Sequence, residues 1–127
     1  MRKTIRTEAA PAAIGPYSQA VRAGDYLFVS GQLGLDPGTK KMVDGGIECQ
    51  TERALANIAA IVEAAGATVA AIVKTTVLLK SMDDFAAMNG VYARCFPKDS
   101  PARAAFQVAR LPLDGLVEIE AIAYLGK

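Results

Sequence analysis

IVKTTVLLKSMDDFAAMNGVYARC, residues 72–95, contains the change of pattern that decides the fold. Its first part, residues 72–80, is short and rich in β-branched residues, which predicts a buried strand. Ser81 then has the form of an N-cap with the acidic Asp84 three positions later, so a helix should begin there. The proline at position 97 marks the end of that helix. Its inner face should consist of Phe85, Met88, Tyr92 and Cys95.

A second helix is predicted upstream, because apolar residues recur at spacings of three and four from Ile47 onward. Gly66 follows the last periodic residue and fits the position just after a helix end, where glycine is favoured. The apolar face of this helix should consist of Thr51, Ala54, Leu55, Ile58, Ile61, Val62 and Ala65. The centre of the chain therefore reads helix, strand, helix.

Strand patterns lie on both sides of this central segment. Gly24 and Asp25 supply the turn of a hairpin, and Gly31 is expected to end its second strand. Pro11, Gly15 and Pro16 punctuate an apolar stretch between the first two strands, which predicts an ordered loop. The strands predicted here are residues 3–7, 18–23, 26–30, 102–108 and 116–124.

The predicted order of elements is β-β-β-α-β-α-β-β, which is an α+β fold. Helices that join strands through right-handed crossovers pack on the sheet, so both should cover one face of a mixed six-stranded sheet. The other face then lacks a cover. Association of subunits is the obvious way to cover it.

The composition is that of one globular domain over residues 1–127. About half of the residues are apolar (52%), and only 21% are charged. The 14 basic and 13 acidic residues nearly cancel, and no basic run is present. We therefore expect no nucleic-acid partner. A chain so poor in charge also fits an oligomer that buries part of its surface.

The cysteines and the N-terminus predict a cellular location. Residues 1–4 lead into polar residues without the apolar core of a signal peptide. No apolar run approaches the ~20 residues that span a bilayer. Cys49 and Cys95 are far apart and lack CxxC spacing, so we expect free, packed thiols in a reducing compartment. The prediction is a cytoplasmic protein without membrane contact.

The absence of histidine and tryptophan limits the chemistry. It excludes catalysis by Ser-His-Asp and Cys-His arrangements. It also excludes most zinc and iron sites, which need several Cys or His ligands, so no metal is expected. Catalysis would have to use arginine, carboxylates, lysine, tyrosine, serine, backbone groups and water.

Arg103 is the first candidate for a functional residue. It lies among small residues, in SPARAAF at 100–106, on a strand otherwise built for burial. A buried guanidinium needs a partner, and its planar fork suits a carboxylate. Two interpretations remain open from the residues alone. Arg103 either binds a ligand carboxylate or pairs with a glutamate of its own fold.

Glu118 and Glu120 are the second candidates. Because side chains alternate along a strand, both carboxylates should lie on one face of the last strand. Like charges on one face either point into solvent or serve a site in which one carboxyl pKa is perturbed. The solvated arrangement is the default interpretation.

Four further positions are weaker candidates. Tyr17 follows Gly15 and Pro16, and its hydroxyl could bind a ligand or cap the loop. Asn89 in the second helix could donate to a ligand or only pack. Ser30 precedes Gly31, a residue that allows close approach of the backbone to a turn or a ligand.

Together these segments resemble the RidA (YjgF) family, also labelled the L-PSP endoribonuclease family. The likeness runs nearly from end to end, with the motifs in the same order. The matching stretches are IGPYSQ at 14–19, VSGQ at 29–32, NIAAIVEAAG at 57–66, IVKTTVLLKSMDDFAAMN at 72–89, PAR at 101–103 and VARLPLDGLVEIEAIA at 108–123.

The resemblance implies a chorismate-mutase-like fold and a homotrimer with three clefts between subunits. It assigns catalytic roles to Arg103, the family's hallmark arginine, and to Glu118. It implies substrate-binding positions at Tyr17, Ser30, Gly31, Asn89 and again Arg103.

The reaction that the resemblance implies is hydrolysis of 2-aminoacrylate and related enamine or imine acids to 2-keto acids and ammonia. Such a 2-iminobutanoate/2-iminopropanoate deaminase needs no cofactor, since the imine carbon is already electrophilic. Many family members carry a cysteine two residues after the arginine, where this chain has Ala105. Substrate range and thiol-linked behaviour could differ for that reason.

Two alternatives to the deaminase stay open. Some family members are labelled endoribonucleases or translation inhibitors, although the neutral charge and missing histidine disfavour RNA chemistry here. The other alternative is a non-catalytic, chaperone-like trimer that binds small metabolites or unfolded proteins.

Overall fold

A computed structural model describes residues 1–126. These residues form two helices, α1 and α2, and six strands, β1 to β6. The strands are β1 (Arg2–Ile5), β2 (Ala20–Ala23), β3 (Tyr26–Leu33), β4 (Ile72–Leu79), β5 (Ala102–Gln107) and β6 (Val117–Tyr124). The helices are α1 (Gly46–Ala64) and α2 (Phe85–Cys95), and short 3₁₀ turns cover Val69–Ala71, Met82–Asp84 and Pro112–Asp114.

The six strands form one mixed sheet in the order β1-β2-β3-β6-β4-β5. Only β4 and β5 pair in parallel, and the other pairs are antiparallel. A parallel pair cannot be joined by a tight hairpin, so a helix must cross over between its strands. Helix α2 makes this crossover, and α1 connects β3 to β4 with β6 between them. The predicted mixed six-stranded sheet with two helices is confirmed.

One face of the sheet is packed against the helices. Helix α1 contacts β3 and β6, and α2 packs on α1. Strand β6 alternates strictly, with Val117, Ile119, Ala121 and Ala123 buried under the helices. The intervening residues of β6 point to the opposite face, which we call the open face. Both helices therefore lie on one side, as the sequence predicts.

The open face carries several exposed aromatic side chains. These are Tyr26 and Phe28 on β3, Phe106 on β5 and Tyr124 on β6. Tyr26 and Tyr124 are register partners, and their rings lie 5.3 Å apart. Exposed apolar area of this kind typically marks an interaction surface. Association through this face stays a prediction.

The helix signals are confirmed almost residue for residue. The hydroxyl of Ser81 accepts a hydrogen bond from the Asp83 amide at 3.1 Å, and the 3₁₀ turn that it caps leads directly into α2. Gly66 has a φ of +89°, the left-handed conformation expected after the helix end. The α1 pattern missed two buried polar residues, Gln50 and Asn57. Both hold loop backbone, since Gln50 accepts from the Leu116 amide and Asn57 donates to two carbonyls near the end of β3.

Two expectations are wrong. Gly31 does not end its strand, because β3 continues to Leu33 through an irregularity between Val29 and Gln32. Cys49 is not packed but exposed, whereas Cys95 is half-buried, and both thiols are free. Burial raises the pKa of Cys95. Within residues 1–126, no helix is long and apolar enough to cross a membrane.

Candidate functional site

Arg103 lies on β5, half-buried beneath α2. Its Nη1 donates a hydrogen bond to Oδ1 of Asn89 at 2.7 Å. It forms no ion pair with any carboxylate of residues 1–126. The alternative of an arginine paired with a glutamate of its own chain is therefore wrong for the part of the chain that the structure describes.

Helix α2 surrounds the guanidinium with three side chains on one stripe. Phe85, Asn89 and Tyr92 are spaced at i, i+4 and i+7, which places them on the same helix face. The Arg103 Cζ lies 4.8 Å from the centre of the Tyr92 ring and 5.5 Å from that of Phe85. Both distances are within the range of cation–π attraction. We call Arg103 and these three residues the arginine half-site.

The Arg103 guanidinium has N–H donors beyond the one that binds Asn89. A guanidinium carries five N–H groups in a rigid fork, and Asn89 accepts from one nitrogen only. The remaining edge suits a carboxylate, which can accept two parallel hydrogen bonds. Ala105, two residues along β5 on the same face, is small and leaves room beside it.

Glu118 lies half-buried on the open face of β6. Desolvation raises the pKa of its carboxyl above the usual 4.5, and the nearby charge of Glu120 raises the pKa further. Glu120 shares that face, as period two predicts, but is exposed. The carboxyl pKa of Glu118 is therefore perturbed, whereas Glu120 is solvated.

Because Gly31 has no side chain, it leaves space for the Glu118 carboxylate. A Cβ built on Gly31 would lie 2.9 Å from Cδ of Glu118 and 3.2 Å from Cγ, closer than side chains normally pack. Ser30, beside it, donates from Oγ to the Ser18 carbonyl at 2.5 Å. The Ser30 hydroxyl therefore fixes the neighbouring loop and keeps only acceptor capacity for a ligand.

Tyr17 stands at the end of the loop before Ser18, with 52% of its surface exposed. The loop is ordered by Gln19, a residue that the sequence did not single out. Gln19 is 4% exposed, accepts from the Thr7 amide and donates to the carbonyls of Thr7, Ala10 and Pro11. In the sequence, the only available signal was a polar glutamine directly after the proline-punctuated loop.

We call Glu118, Gly31 and Ser30, together with Tyr17 of the loop that Ser30 bonds, the glutamate half-site. A cavity of about 500 Å³ opens beside its loop and includes Tyr17, but neither Arg103 nor Glu118. Among residues 1–126, no group of three or more Asp, Glu or Cys side chains is placed to hold a metal ion.

The two half-sites lie on opposite faces of the sheet. Arg103 is the register partner of Thr75, which is buried under α2. Glu118 is the register partner of Leu78, which points the other way. Strand β4 separates the two residues. A single chain therefore does not bring Arg103 and Glu118 together.

Comparison with known proteins identifies the family. The family model described as endoribonuclease L-PSP matches residues 7–125. The chain belongs to the RidA (YjgF) family. A RutC family protein of Pyrococcus horikoshii is 55% identical over 124 residues, which are 98% of each chain.

Two further RidA relatives bear on chemistry. The 2-iminobutanoate/2-iminopropanoate deaminase of Bos taurus is 52% identical over 126 residues, covering 99% of this chain and 92% of the bovine protein. The crystal structure of Escherichia coli TdcF with bound serine has a TM-score of 0.94 and 43% identity. It covers 98% of this chain and 99% of its own. The RidA fold expected from the sequence is thus confirmed.

Proposed function

We propose that this RidA family member is a deaminase that hydrolyses 2-imino acids, and the enamines in equilibrium with them, to 2-keto acids and ammonia. The observation that carries the proposal is the half-buried Arg103, which has no acidic partner among residues 1–126 and a free edge shaped for a carboxylate. The names of relatives about 50% identical to this chain support the same reaction. The serine bound to TdcF supports a small α-carboxylate ligand.

In the proposed reaction, Arg103 binds the substrate carboxylate and fixes the position of the imine carbon. Water adds to that carbon, and Glu118 accepts a proton from the attacking water. Glu118 passes that proton to the nitrogen, which gives a carbinolamine. Glu118 then transfers the hydroxyl proton of the carbinolamine to the same nitrogen, which leaves as ammonia while the carbon–oxygen double bond forms. One water is consumed and one C=N bond is replaced by C=O. Positioning of the two reactants supplies much of the rate.

The proposed active site forms between copies of the chain. Because Arg103 and Glu118 face opposite sides of one sheet, the arginine half-site of one copy must meet the glutamate half-site of another. A closed homotrimer joined through the open face would supply three such sites. It would also cover the exposed aromatic residues of that face.

Release of keto acid tests the function directly. An amino-acid oxidase generates the imine from alanine or 2-aminobutyrate in place, and appearance of the keto acid is followed with and without the protein. We expect acceleration over spontaneous hydrolysis. No acceleration with imines from any of several amino acids would contradict the proposal and favour a metabolite-binding role.

Adding a methyl group at Gly31 should lower activity without unfolding the chain. In Gly31→Ala the new Cβ displaces the Glu118 carboxylate, and misplacement of a reacting group by about 1 Å can cost on the order of a hundredfold. We expect kcat to fall at least about tenfold in the same assay. Gly90→Ala is the matched control, since nothing lies within 4 Å of its added Cβ. Equal activities of the two variants would argue against a role for Glu118.

A further inference from the structure

Tyr92 contacts the guanidinium but has no role in the proposed reaction. It is 5% exposed, and its ring packs against Phe96 with centroids 4.8 Å apart. Its hydroxyl shares a hydrogen bond with Oγ1 of Thr75 at 2.7 Å. Burial raises the pKa of Tyr92, so the hydroxyl stays protonated at neutral pH.

The Tyr92–Thr75 bond closes a ring of contacts around Arg103. Thr75 on β4 is the register partner of Arg103 on β5, so the two backbones are joined by the parallel ladder. Tyr92 bridges them from above, with its hydroxyl on Thr75 and its ring face on the guanidinium. The ring of Tyr92 is therefore fixed relative to the strand that carries Arg103.

Core packing alone does not explain the two hydroxyl groups. The other buried residues of β4 are Ile72, Val77 and Leu79, and all three are apolar. Phenylalanine and valine would fill the places of Tyr92 and Thr75 with nearly the same volume. Replacing both partners of a buried hydrogen bond by apolar groups of the same shape can be nearly neutral for stability. Replacing Tyr92 and Thr75 in this way would remove the hydrogen bond that fixes the position of the ring at residue 92.

We propose that Tyr92 and Thr75 are positioning residues that hold the Arg103 guanidinium with its free edge toward the substrate carboxylate. Asn89 fixes one nitrogen of the fork, and the Tyr92 ring fixes its plane. The inference rests on one part of the proposed function, namely that the ligand of Arg103 is a carboxylate.

Four variants test this inference against a purely structural role. Tyr92→Phe and Thr75→Val each remove one hydroxyl, the double variant removes both, and Thr75→Ser retains the hydroxyl. Pyruvate serves as the carboxylate probe, and its Kd is measured by calorimetry on the full-length protein in its native state of association, alongside the melting temperature. The KM and kcat for the imine from alanine are measured on the same samples.

We expect the Kd for pyruvate and the KM to rise about three- to tenfold in Tyr92→Phe, in Thr75→Val and in the double variant alike, since all three lose one shared bond. The value of kcat should fall less than the KM rises, because the carboxylate contact is made in both the ground state and the transition state. Thr75→Ser should retain wild-type affinity. Unchanged pyruvate affinity in Tyr92→Phe and Thr75→Val would overturn the inference, as would equal losses of kcat that follow the melting temperature.

Pyruvate binding separates this inference from the proposed function, because it needs no turnover. If the wild type binds pyruvate but does not accelerate imine hydrolysis, the deaminase proposal fails while weaker binding by Tyr92→Phe still supports the positioning role. If the wild type does not bind pyruvate at all, the positioning role is overturned.

Discussion

Replacement of Arg103 by alanine should lower kcat/KM for imine hydrolysis by at least about a hundredfold, because truncating one member of a partly buried charge pair costs several kcal/mol. Alanine removes every donor that the carboxylate would use. The fold should persist, since Arg103 lies on the terminal strand of the sheet and is only half-buried. Keto-acid release measures the activity, and the melting temperature reports the fold.

Two variants serve as controls for Arg103→Ala. Arg94→Ala removes an exposed arginine of α2 whose only ion pair among residues 1–126 is a 4.0 Å surface contact with Glu52, and it should retain activity within about twofold. Arg103→Lys keeps the charge but not the bidentate fork, so it should be intermediate. Near-normal hydrolysis by Arg103→Ala would remove the basis of the deaminase proposal.

Replacement of Glu118 by glutamine should lower kcat by about a hundredfold or more, the range expected when a general base is lost. The pH profile gives a second readout. Glu118 must be ionised to accept a proton from water, so the wild-type rate should fall as the pH drops through its pKa. Within one chain, burial and the charge of Glu120 raise that pKa above 4.5, and the guanidinium of another copy would lower it, so the acid limb reports the balance of these effects. Glu118→Gln should lack this limb.

Glu120→Gln is the matched control for the pH profile. The residue is exposed on the same face and contributes only its charge, which raises the pKa of Glu118. Removing that charge should leave the maximal rate within about twofold and move the acid limb to lower pH. An acid limb that persists in Glu118→Gln, or one that moves upward in Glu120→Gln, would assign the titration to another group.

The elements of this fold could be predicted because their signals are local. The β-branched run of β4, the cap at Ser81 and the glycine after α1 each act over a few residues, and all three are confirmed. The predicted end of β3 was wrong because it depends on pairing with a strand that is distant in the sequence. Gly31 looks like a strand end in sequence, but β3 continues because β6 lies alongside and supplies hydrogen-bond partners beyond it.

The candidate site could be predicted only in part. The resemblance to a known family marked Arg103, Glu118 and Asn89 among its residues, and the structure shows Asn89 bonded to Arg103. It did not mark Tyr92 or Thr75, which are 17 residues apart and meet only when α2 packs on the sheet. The sequence placed Phe85 and Tyr92 on the inner face of α2 and treated Asn89 separately, and nothing local indicated that a guanidinium lies beneath them.

The sequence by itself determined the order of the helices and strands and the common face of Glu118 and Glu120, because strand periodicity is a property of the local backbone. It did not determine that Arg103 and Glu118 lie on opposite faces of the sheet. That placement depends on how β4 pairs with β5 on one side and with β6 on the other, and strand register is a long-range property. Only the tertiary structure therefore decided that one chain carries two separate half-sites.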